Sequence, residues 1–260
     1  MISDKTTSEP TDDYEIYTAI YDIFYHTHID TEILDSVWKS SWTHVLEIGV
    51  GTGRLIPFFK KKPLLKYVGL DVSAKMIDQI DKRLLNDTYT CFCMGIRDYQ
   101  SRDKFELIHY SYNTFNYMLS VEEASQELSK SVELLADDGV ILLDLTFPGC
   151  VTRGISPDYQ VREQVTEEHI THLLKCKDAY DSESQIETRY LKYLKLEGNQ
   201  LREELNWTSS RRFYPILELL QIADSVGLSL ISYNIYGDRT PYEGYFVFFE
   251  KKPFGLVEKR

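Results

Sequence analysis

A glycine-rich turn between an apolar run and the start of a helix constrains this chain more than any other feature. Residues 45–55 read Val-Leu-Glu-Ile-Gly-Val-Gly-Thr-Gly-Arg-Leu, with glycines at Gly49, Gly51 and Gly53. Glycine at such a turn allows backbone dihedrals that a Cβ forbids, and it lets a ligand approach the main chain closely. Asp71 ends the next strand-like run, where an acid can accept hydrogen bonds from ribose hydroxyls. The pattern therefore predicts a nucleoside-containing cofactor.

Strand-like and helix-like segments alternate around this turn. Strand-like runs lie at residues 44–50, 67–72, 89–94, 105–112, 139–147, 228–236 and 245–251, and helical runs lie at 54–60, 74–85, 121–136 and 215–226. Strands that alternate with helices predict a doubly wound α/β fold with a mostly parallel sheet. The last two runs follow each other through a Gly-Asp turn, which predicts an antiparallel final pair and a sheet of seven strands in total.

The alternation stops between residues 166 and 213. Three strand-like runs, at 169–180, 185–196 and 201–208, are joined by polar turns, which predicts an antiparallel insertion. We expect this insertion to form a cap over one end of the parallel sheet. The predicted organisation is a disordered terminus at 1–13, a helical lid at 14–42, a cofactor-binding core at 43–150 and 212–260, and a β cap at 151–211.

Tyrosines mark the predicted N-terminal helix. Tyr14, Tyr17 and Tyr21 fall at i, i+3 and i+7, which places them on one helical face. A second apolar row gives this helix two apolar faces. Simple packing and a lid over a pocket explain the pattern equally well, and under the second interpretation the three tyrosines are candidate substrate-binding residues.

Charge and composition exclude several classes of protein. The chain has 41 acidic and 29 basic residues, a net charge of −12, and such a surface repels phosphate backbones, so nucleic acid is not an expected partner. No apolar run approaches the roughly 18 residues that a membrane span needs. Cys91 and Cys93 lack a partner cluster for zinc, and His109 is expected to be a satisfied core residue, so no metal site is predicted. These features favour a cytoplasmic protein.

The glycine turn resembles motif I of the class I S-adenosylmethionine-dependent methyltransferases. The resemblance covers residues 43–147 and 213–252, and Glu47 stands two residues before the first glycine, as the motif requires. It implies S-adenosylmethionine as cofactor, a backbone cradle at Gly49, Gly51 and Gly53, and Asp71 bonded to the ribose. Glu47 would organise the glycine loop or the cofactor's amino group; a role in capping the following helix is the alternative. The resemblance also implies Val72 and Tyr112 as cofactor-binding residues.

A more specific resemblance follows the fourth strand. Residues 113–118, Asn-Thr-Phe-Asn-Tyr-Met, resemble the Asn-Ser-Phe-x-His-Leu element of glycine N-methyltransferase and related sugar-amine methyltransferases. In that group the histidine faces the substrate, whereas this chain has Tyr117 at that position. The resemblance implies that Tyr117, Tyr21 and Asn113 carry the catalytic roles, without an imidazole base.

The segment after the third strand departs from the family. Residues 95–99, Gly-Ile-Arg-Asp-Tyr, resemble the family run Gly-Asp-x-x-Asp-Phe, and Gly95 replaces the acid that usually contacts adenine. The resemblance then implies that backbone groups near Ile96 and Arg97 hold the adenine. Asp98 is the available carboxylate, although a turn or capping role explains it equally well.

These observations predict methyl transfer to a small-molecule acceptor by a monomer or homodimer. N-methylation of an amine is favoured by residues 113–118, and O- or C-methylation of a natural product is the alternative. A nicotinamide-dependent oxidoreductase is a remote alternative, because Arg54 occupies the place of the last glycine of a GxGxxG turn. A non-catalytic cofactor-binding subunit is another.

Overall fold

A computed structural model describes residues 13–24, 29–146, 158–236 and 244–253. The terminus predicted to be disordered, residues 1–13, falls outside these ranges except for its last residue. Within them the chain forms a seven-stranded sheet, a four-stranded sheet and six α-helices.

The seven-stranded sheet confirms the predicted α/β fold. Its strand order is β10-β11-β5-β4-β1-β2-β3; β1 to β5 are parallel, and β11 runs antiparallel to β5 and to β10. The strands are β1 His44–Ile48, β2 Lys66–Asp71, β3 Tyr89–Cys93, β4 Phe105–Tyr110, β5 Leu135–Thr146, β10 Leu228–Tyr236 and β11 Gly244–Lys251. Because parallel strands end at the same edge of a sheet, the segments that follow β1, β2, β3 and β4 meet there.

The helices are shorter than the sequence predicts. They are α1 Asp13–Phe24, α2 Ile29–Val37, α3 Ile56–Phe59, α4 Ala74–Gln79, α5 Val121–Leu134 and α6 Ile216–Ser225, with 3-10 turns at Lys82–Leu84, Ile96–Asp98 and Thr114–Tyr117. The predicted helix at 74–85 ends early because Ile80, with φ −58° and ψ 126°, leaves the helical conformation and Asp81 caps a separate turn. Ser73 is the predicted N-cap of α4, and its hydroxyl accepts a hydrogen bond from the Met76 amide at 3.3 Å.

The start of β5 differs from the prediction. The sequence predicts that the segment Asp-Asp-Gly at 137–139 is a turn before the strand, whereas β5 begins at Leu135. Pairing with β4 jumps from Leu135 to Val140, so the predicted turn residues form an irregularity inside the strand.

The four-stranded sheet is antiparallel, as predicted, with one strand more than the sequence indicates. Its strands are β6 Gln160–Glu167, β7 Ile170–Asp181, β8 Ile186–Glu197 and β9 Gln200–Arg212, paired in that order. The edge strand β6 is largely exposed, and its sequence, Gln-Val-Arg-Glu-Gln-Val-Thr-Glu, has few apolar residues. Without an apolar pattern, the sequence does not predict this strand.

Helix α1 joins the two sheets. Ile20 and Phe24 of α1 pack in one cluster with Met76 of α4 and with Leu174 and Trp207 of the four-stranded sheet. Two further clusters cover the two faces of the seven-stranded sheet. The contacts of α1 place it beside the edge where the parallel strands end.

Candidate active site

The glycine turn has the conformation and the open space that its sequence predicts. Gly49 and Gly51 have φ angles of +78° and +55°, which L side chains rarely adopt. A Cβ on Gly49 would lie 1.9 Å from Thr114 Oγ1, so only glycine fits there. A Cβ on Gly51 would meet nothing within 4 Å, and Gly51 lines a cavity. The main chain at Gly51 therefore faces space that a ligand can fill.

Asp71 ties the end of β2 to this turn. One of its carboxylate oxygens accepts a hydrogen bond from the Gly51 amide at 2.9 Å, and the other accepts one from the Ser73 amide at 2.9 Å. Burial raises the pKa of Asp71, and the two amide donors oppose that effect. Each oxygen can accept more than one hydrogen bond, and Asp71 lines the cavity, which fits the predicted bonding to ribose hydroxyls.

A cavity of about 700 Å³ adjoins the glycine turn. Its lining comes from three parts of the chain: the ends of the parallel strands, helix α1 and the four-stranded sheet. Ten of the predicted site residues are among the lining residues: Gly49, Gly51, Asp71, Val72, Ile96, Tyr112, Asn113, Tyr117, Tyr17 and Tyr21. The fold thus brings residues that are far apart in sequence to one cavity.

The remaining predicted site residues lie elsewhere. Gly53 is buried within the turn, and Glu47 is buried beneath it. Arg97 and Asp98 are exposed and do not line the cavity, because the 3-10 turn directs Arg97 toward Glu127, 3.3 Å away. The Tyr14 side chain is outside the part of the chain that the structure describes.

The segment after β4 is held in an unusual backbone conformation. Tyr112 and Asn113 have φ angles of +46° and +61°, a region that costs energy for residues other than glycine. The Asn113 side-chain oxygen accepts a hydrogen bond from Thr146 Oγ1 at 2.6 Å, and Thr114 Oγ1 donates to the Ser111 carbonyl at 2.6 Å. These bonds fix a tight turn, and both Tyr112 and Tyr117 line the cavity.

The tyrosines of α1 pack against the segment that follows β4 and against the four-stranded sheet. The ring centroids of Tyr17 and Tyr21 are 5.4 Å apart, and Tyr21 meets Tyr112 edge-on at 6.3 Å. Tyr17 also lies 6.3 Å from Trp207 of the four-stranded sheet. These aromatic contacts pack α1 against both parts, and Tyr17, Tyr21 and Tyr112 all line the cavity.

Glu47 lies at the centre of a buried polar network under the glycine turn. Tyr67 donates a hydrogen bond to one carboxylate oxygen at 2.5 Å, and the Ser111 hydroxyl lies 2.9 Å from the other. The same hydroxyl is 2.9 Å from the Gly49 carbonyl oxygen, so it links the acid to the turn. Burial raises the pKa of Glu47 from 4.5 to about 7.

His109 departs from its prediction as a satisfied core residue. It is fully buried next to Glu47 in the sheet, and neither ring nitrogen has a hydrogen-bond partner among the described residues. Burial lowers the pKa of His109 to about 4, so the ring is neutral near pH 7. An imidazole that is buried in this way is not available to an acceptor in the cavity.

The raised pKa of Glu47 predicts a specific pH dependence of stability. The folded protein favours the protonated acid, so the stability associated with Glu47 is full below about pH 4.5 and is lost as the pH rises through about 7. We expect the unfolding free energy of the wild type to fall by about 2–3 kcal/mol relative to Glu47→Gln between pH 5 and pH 8. Urea unfolding at several pH values measures this difference. The exposed Glu122→Gln is the control, and parallel curves for wild type and Glu47→Gln would contradict the assignment.

The structure adds lining residues that the sequence analysis misses. One group of them belongs to the four-stranded sheet and to the end of β5: Asp144, Glu163, Arg189, Thr208, Ser209, Ser210 and Arg211. Arg211 donates to Glu187 at 2.6 Å and to Thr146 at 3.3 Å, so the sheet carries an ordered charged group next to the cavity. The only indication in the sequence is the unusual polarity of residues 208–212 at the end of a strand.

The described ranges hold neither a metal-binding cluster nor a membrane-spanning helix. Within them, no group of three or more His, Cys, Asp or Glu side chains is arranged to hold a metal ion. In the same ranges no helix has both the length and the apolarity to cross a bilayer.

Comparison with known proteins gives matches to the central part of the chain. A family model described as a methyltransferase domain matches residues 46–141. A provisionally named methyltransferase of Geobacillus sp. (strain WCH70) is 29% identical over 103 residues, which are 39% of this chain and 41% of that protein. The chain therefore aligns with about two fifths of that relative's length.

Solved structures extend the likeness to nearly the whole chain. An amino pentose methyltransferase from Micromonospora echinaspora, solved with S-adenosylmethionine bound, has a TM-score of 0.72 and 18% identity, covering 95% of this chain and 100% of that one. A sugar N-methyltransferase from Streptoalloteichus sp ATCC 53650 has a TM-score of 0.70 and 15% identity, covering 97% and 100%. At these identities the likeness concerns the fold. The chain has the fold of the class I S-adenosylmethionine-dependent methyltransferases, and residues 46–141 within it match the methyltransferase-domain family model.

Proposed function

We propose that this protein transfers a methyl group from S-adenosylmethionine to an amine nitrogen of a small molecule. The observation that carries the proposal is a single cavity lined both by the glycine turn with Asp71 and by the tyrosines of α1 with the four-stranded sheet. One part of this lining suits a nucleoside and the other suits an acceptor. A shared cavity allows donor and acceptor to meet without water between them.

The residues at the turn fit the cofactor. Gly51 leaves open space beside a backbone conformation that brings the main chain close, and Asp71 offers oxygens to a ribose. When bound, S-adenosylmethionine supplies an electrophilic methyl group on a positively charged sulfur. Alignment of the acceptor with that group can supply several powers of ten in rate, so the main task of this chain is positioning.

An amine acceptor agrees with the chemistry of the lining. A neutral amine can attack through its own lone pair, whereas a hydroxyl needs a base near the transition state. The described lining residues include no histidine, and Tyr117 stands where the similar N-methyltransferases have one. The names of two structural neighbours, a sugar N-methyltransferase and an amino pentose methyltransferase, support the same acceptor class.

The residues that line the cavity have different roles in the proposed reaction. The ring faces and hydroxyls of Tyr17, Tyr21 and Tyr117 surround the methyl group on the positively charged sulfur of the cofactor, and they orient the amine. Asn113 acts through its turn and positions its neighbours, since its side-chain oxygen is held by Thr146. In this scheme residues 14–42 are a lid, 151–211 are a cap, and 43–150 with 212–260 are the cofactor-binding core.

Isotope transfer tests the proposal. The protein is incubated with methyl-labelled S-adenosylmethionine and a matched panel of amino sugars, amino acids, phenols and alcohols, and the products are separated by mass. We expect label in the amines only. Label in phenols or alcohols alone would overturn N-methylation, and binding of S-adenosylhomocysteine with no transfer to any acceptor would indicate a non-catalytic subunit.

Removal of the Tyr117 hydroxyl should weaken turnover without affecting the cofactor. A neutral hydrogen bond contributes about 0.5–1.5 kcal/mol, so we expect kcat/KM for the acceptor to fall about threefold to tenfold in Tyr117→Phe. The affinity for S-adenosylhomocysteine should stay unchanged, since none of the cofactor contacts that we propose involves Tyr117. Steady-state kinetics and calorimetry measure the two quantities. Tyr159→Phe, at an exposed position outside the cavity lining, is the control, and equal kinetics in both variants would remove Tyr117 from the site.

A further inference from the structure

One wall of the cavity combines apolar side chains with two carboxylates, those of Asp71 and Glu127. The ends of β1, β2 and β3 and the segments that follow them contribute Ile48, Leu70, Met94 and Ile96 to the lining. Such a wall suits a flat aromatic ring that has lost its water. A ring of this kind is told apart from its analogues by the few polar groups that it meets there.

Glu127 of α5 supplies a carboxylate at this wall. The residue is only 5% exposed and still lines the cavity. One carboxylate oxygen lies 3.3 Å from Arg97 Nε, and the other accepts a hydrogen bond from the Tyr110 hydroxyl at 3.3 Å. Its neighbours on α5, Ala124 and Leu128, pack in the same cluster as Ile96. Each carboxylate oxygen has two lone pairs, so Glu127 can accept a further hydrogen bond from the cavity.

Gly95 leaves this wall without the acid that similar methyltransferases have after the third strand. Gly95 lines the cavity, and a Cβ there would meet only Val72 Cγ1, at 3.8 Å. Asp98, the other acid of this segment, is exposed and outside the lining. Asp71 at the end of β2 is held by the amides of Gly51 and Ser73. Among the other described residues of this wall, Glu127 is the carboxylate that lines the cavity.

We propose that the Glu127 carboxylate accepts a hydrogen bond from the exocyclic amino group of adenine and thereby selects adenine over a 6-oxopurine. Burial raises the pKa of Glu127, and the Arg97 guanidinium opposes that effect. Because Arg97 Nε lies 3.3 Å from the Glu127 carboxylate, the role of Arg97 is positioning. A 6-oxopurine presents an acceptor at the same place, and two acceptors facing each other lose the bond. This inference rests on the proposed function, because it assigns a contact within the same cofactor site.

Affinity ratios test the proposal. Calorimetry measures binding of S-adenosylhomocysteine and of S-inosylhomocysteine to wild type and to Glu127→Gln. The inosyl compound has a 6-oxo group in place of the 6-amino group and an N–H at N1 in place of the acceptor nitrogen. We expect wild type to prefer the adenine compound by about 10-fold to 100-fold, the range for a hydrogen bond to a charged group. In Glu127→Gln the ratio should fall to about threefold or reverse, since an amide also donates to the oxo group. Glu122→Gln, exposed on the same helix, should keep the wild-type ratio.

Further outcomes separate this inference from the proposed function. If Glu127→Gln binds both compounds more weakly by the same factor, Glu127 is only structural and the inference fails. If wild type binds neither compound, the proposed function itself fails. If Glu127→Gln does not fold, Glu127→Met is the second variant, because methionine fills a similar volume without charge. We expect Glu127→Met to lose the preference for S-adenosylhomocysteine in the same way. A wild-type ratio in the methionine variant would likewise overturn the inference.

Discussion

Gly51→Val should abolish binding of S-adenosylhomocysteine, with an expected loss of affinity of about 100-fold or more. A Cβ at this position points into open space of the cavity, and the valine methyl groups would occupy volume that a ligand needs. The φ angle of +55° is also unfavourable for a β-branched residue, at a cost of about 1–3 kcal/mol. Relaxation of that strain would move the Gly51 amide away from Asp71, so both features of the site change together.

A second glycine, Gly198, separates the loss of ligand volume from the cost of backbone strain. Gly198 has a φ angle of +57° and open space where its Cβ would lie, but it is in the β8–β9 turn and outside the cavity lining. Gly198→Val should show a similar loss of stability in thermal unfolding with unchanged affinity for S-adenosylhomocysteine by calorimetry. Affinity that survives in Gly51→Val would show that the turn does not cradle the cofactor.

The fold could be predicted from the sequence because its patterns arise locally. Apolar runs that alternate with helical segments specify a parallel sheet, and the glycine turn specifies where a ligand approaches it. The position of Asp71 could be predicted for the same reason, because an acid at the end of β2 lies at the same edge of the sheet as Gly51. The polar turns between β7, β8 and β9 likewise define the antiparallel insertion.

The contacts across the cavity could not be predicted because they depend on packing between distant segments. No local pattern indicates that Glu127 of α5 faces the segment after β3, or that Arg211 of β9 lines the cavity. His109 resembles an ordinary core residue, and its missing hydrogen bonds follow from the neighbours that the sheet gives it. The position of Asp98 depends on the direction in which a single 3-10 turn leaves the sheet.

Arg54 shows how a residue of the motif acquires a structural role. In the sequence it argues against a nicotinamide-type turn, because it replaces a glycine. In the structure it forms a two-bond ion pair with Asp30 of α2, and its guanidinium lies 5.8 Å from the centre of the Tyr112 ring. Asp30 is 1% exposed, so this pair connects α2 to the segment that follows the glycine turn in a site with little water.

Arg54→Met should destabilise the protein by about 3–5 kcal/mol, because it leaves the buried Asp30 carboxylate without its partner. Urea unfolding measures the loss. Arg83→Met, which breaks an equally well-formed but exposed pair with Asp81, should show no measurable change. The double variant Arg54→Met with Asp30→Leu removes both charges and should be more stable than Arg54→Met alone. If the double variant were no more stable than Arg54→Met, the unpaired carboxylate would not be the cause, and the loss would come from packing of the arginine against Tyr112.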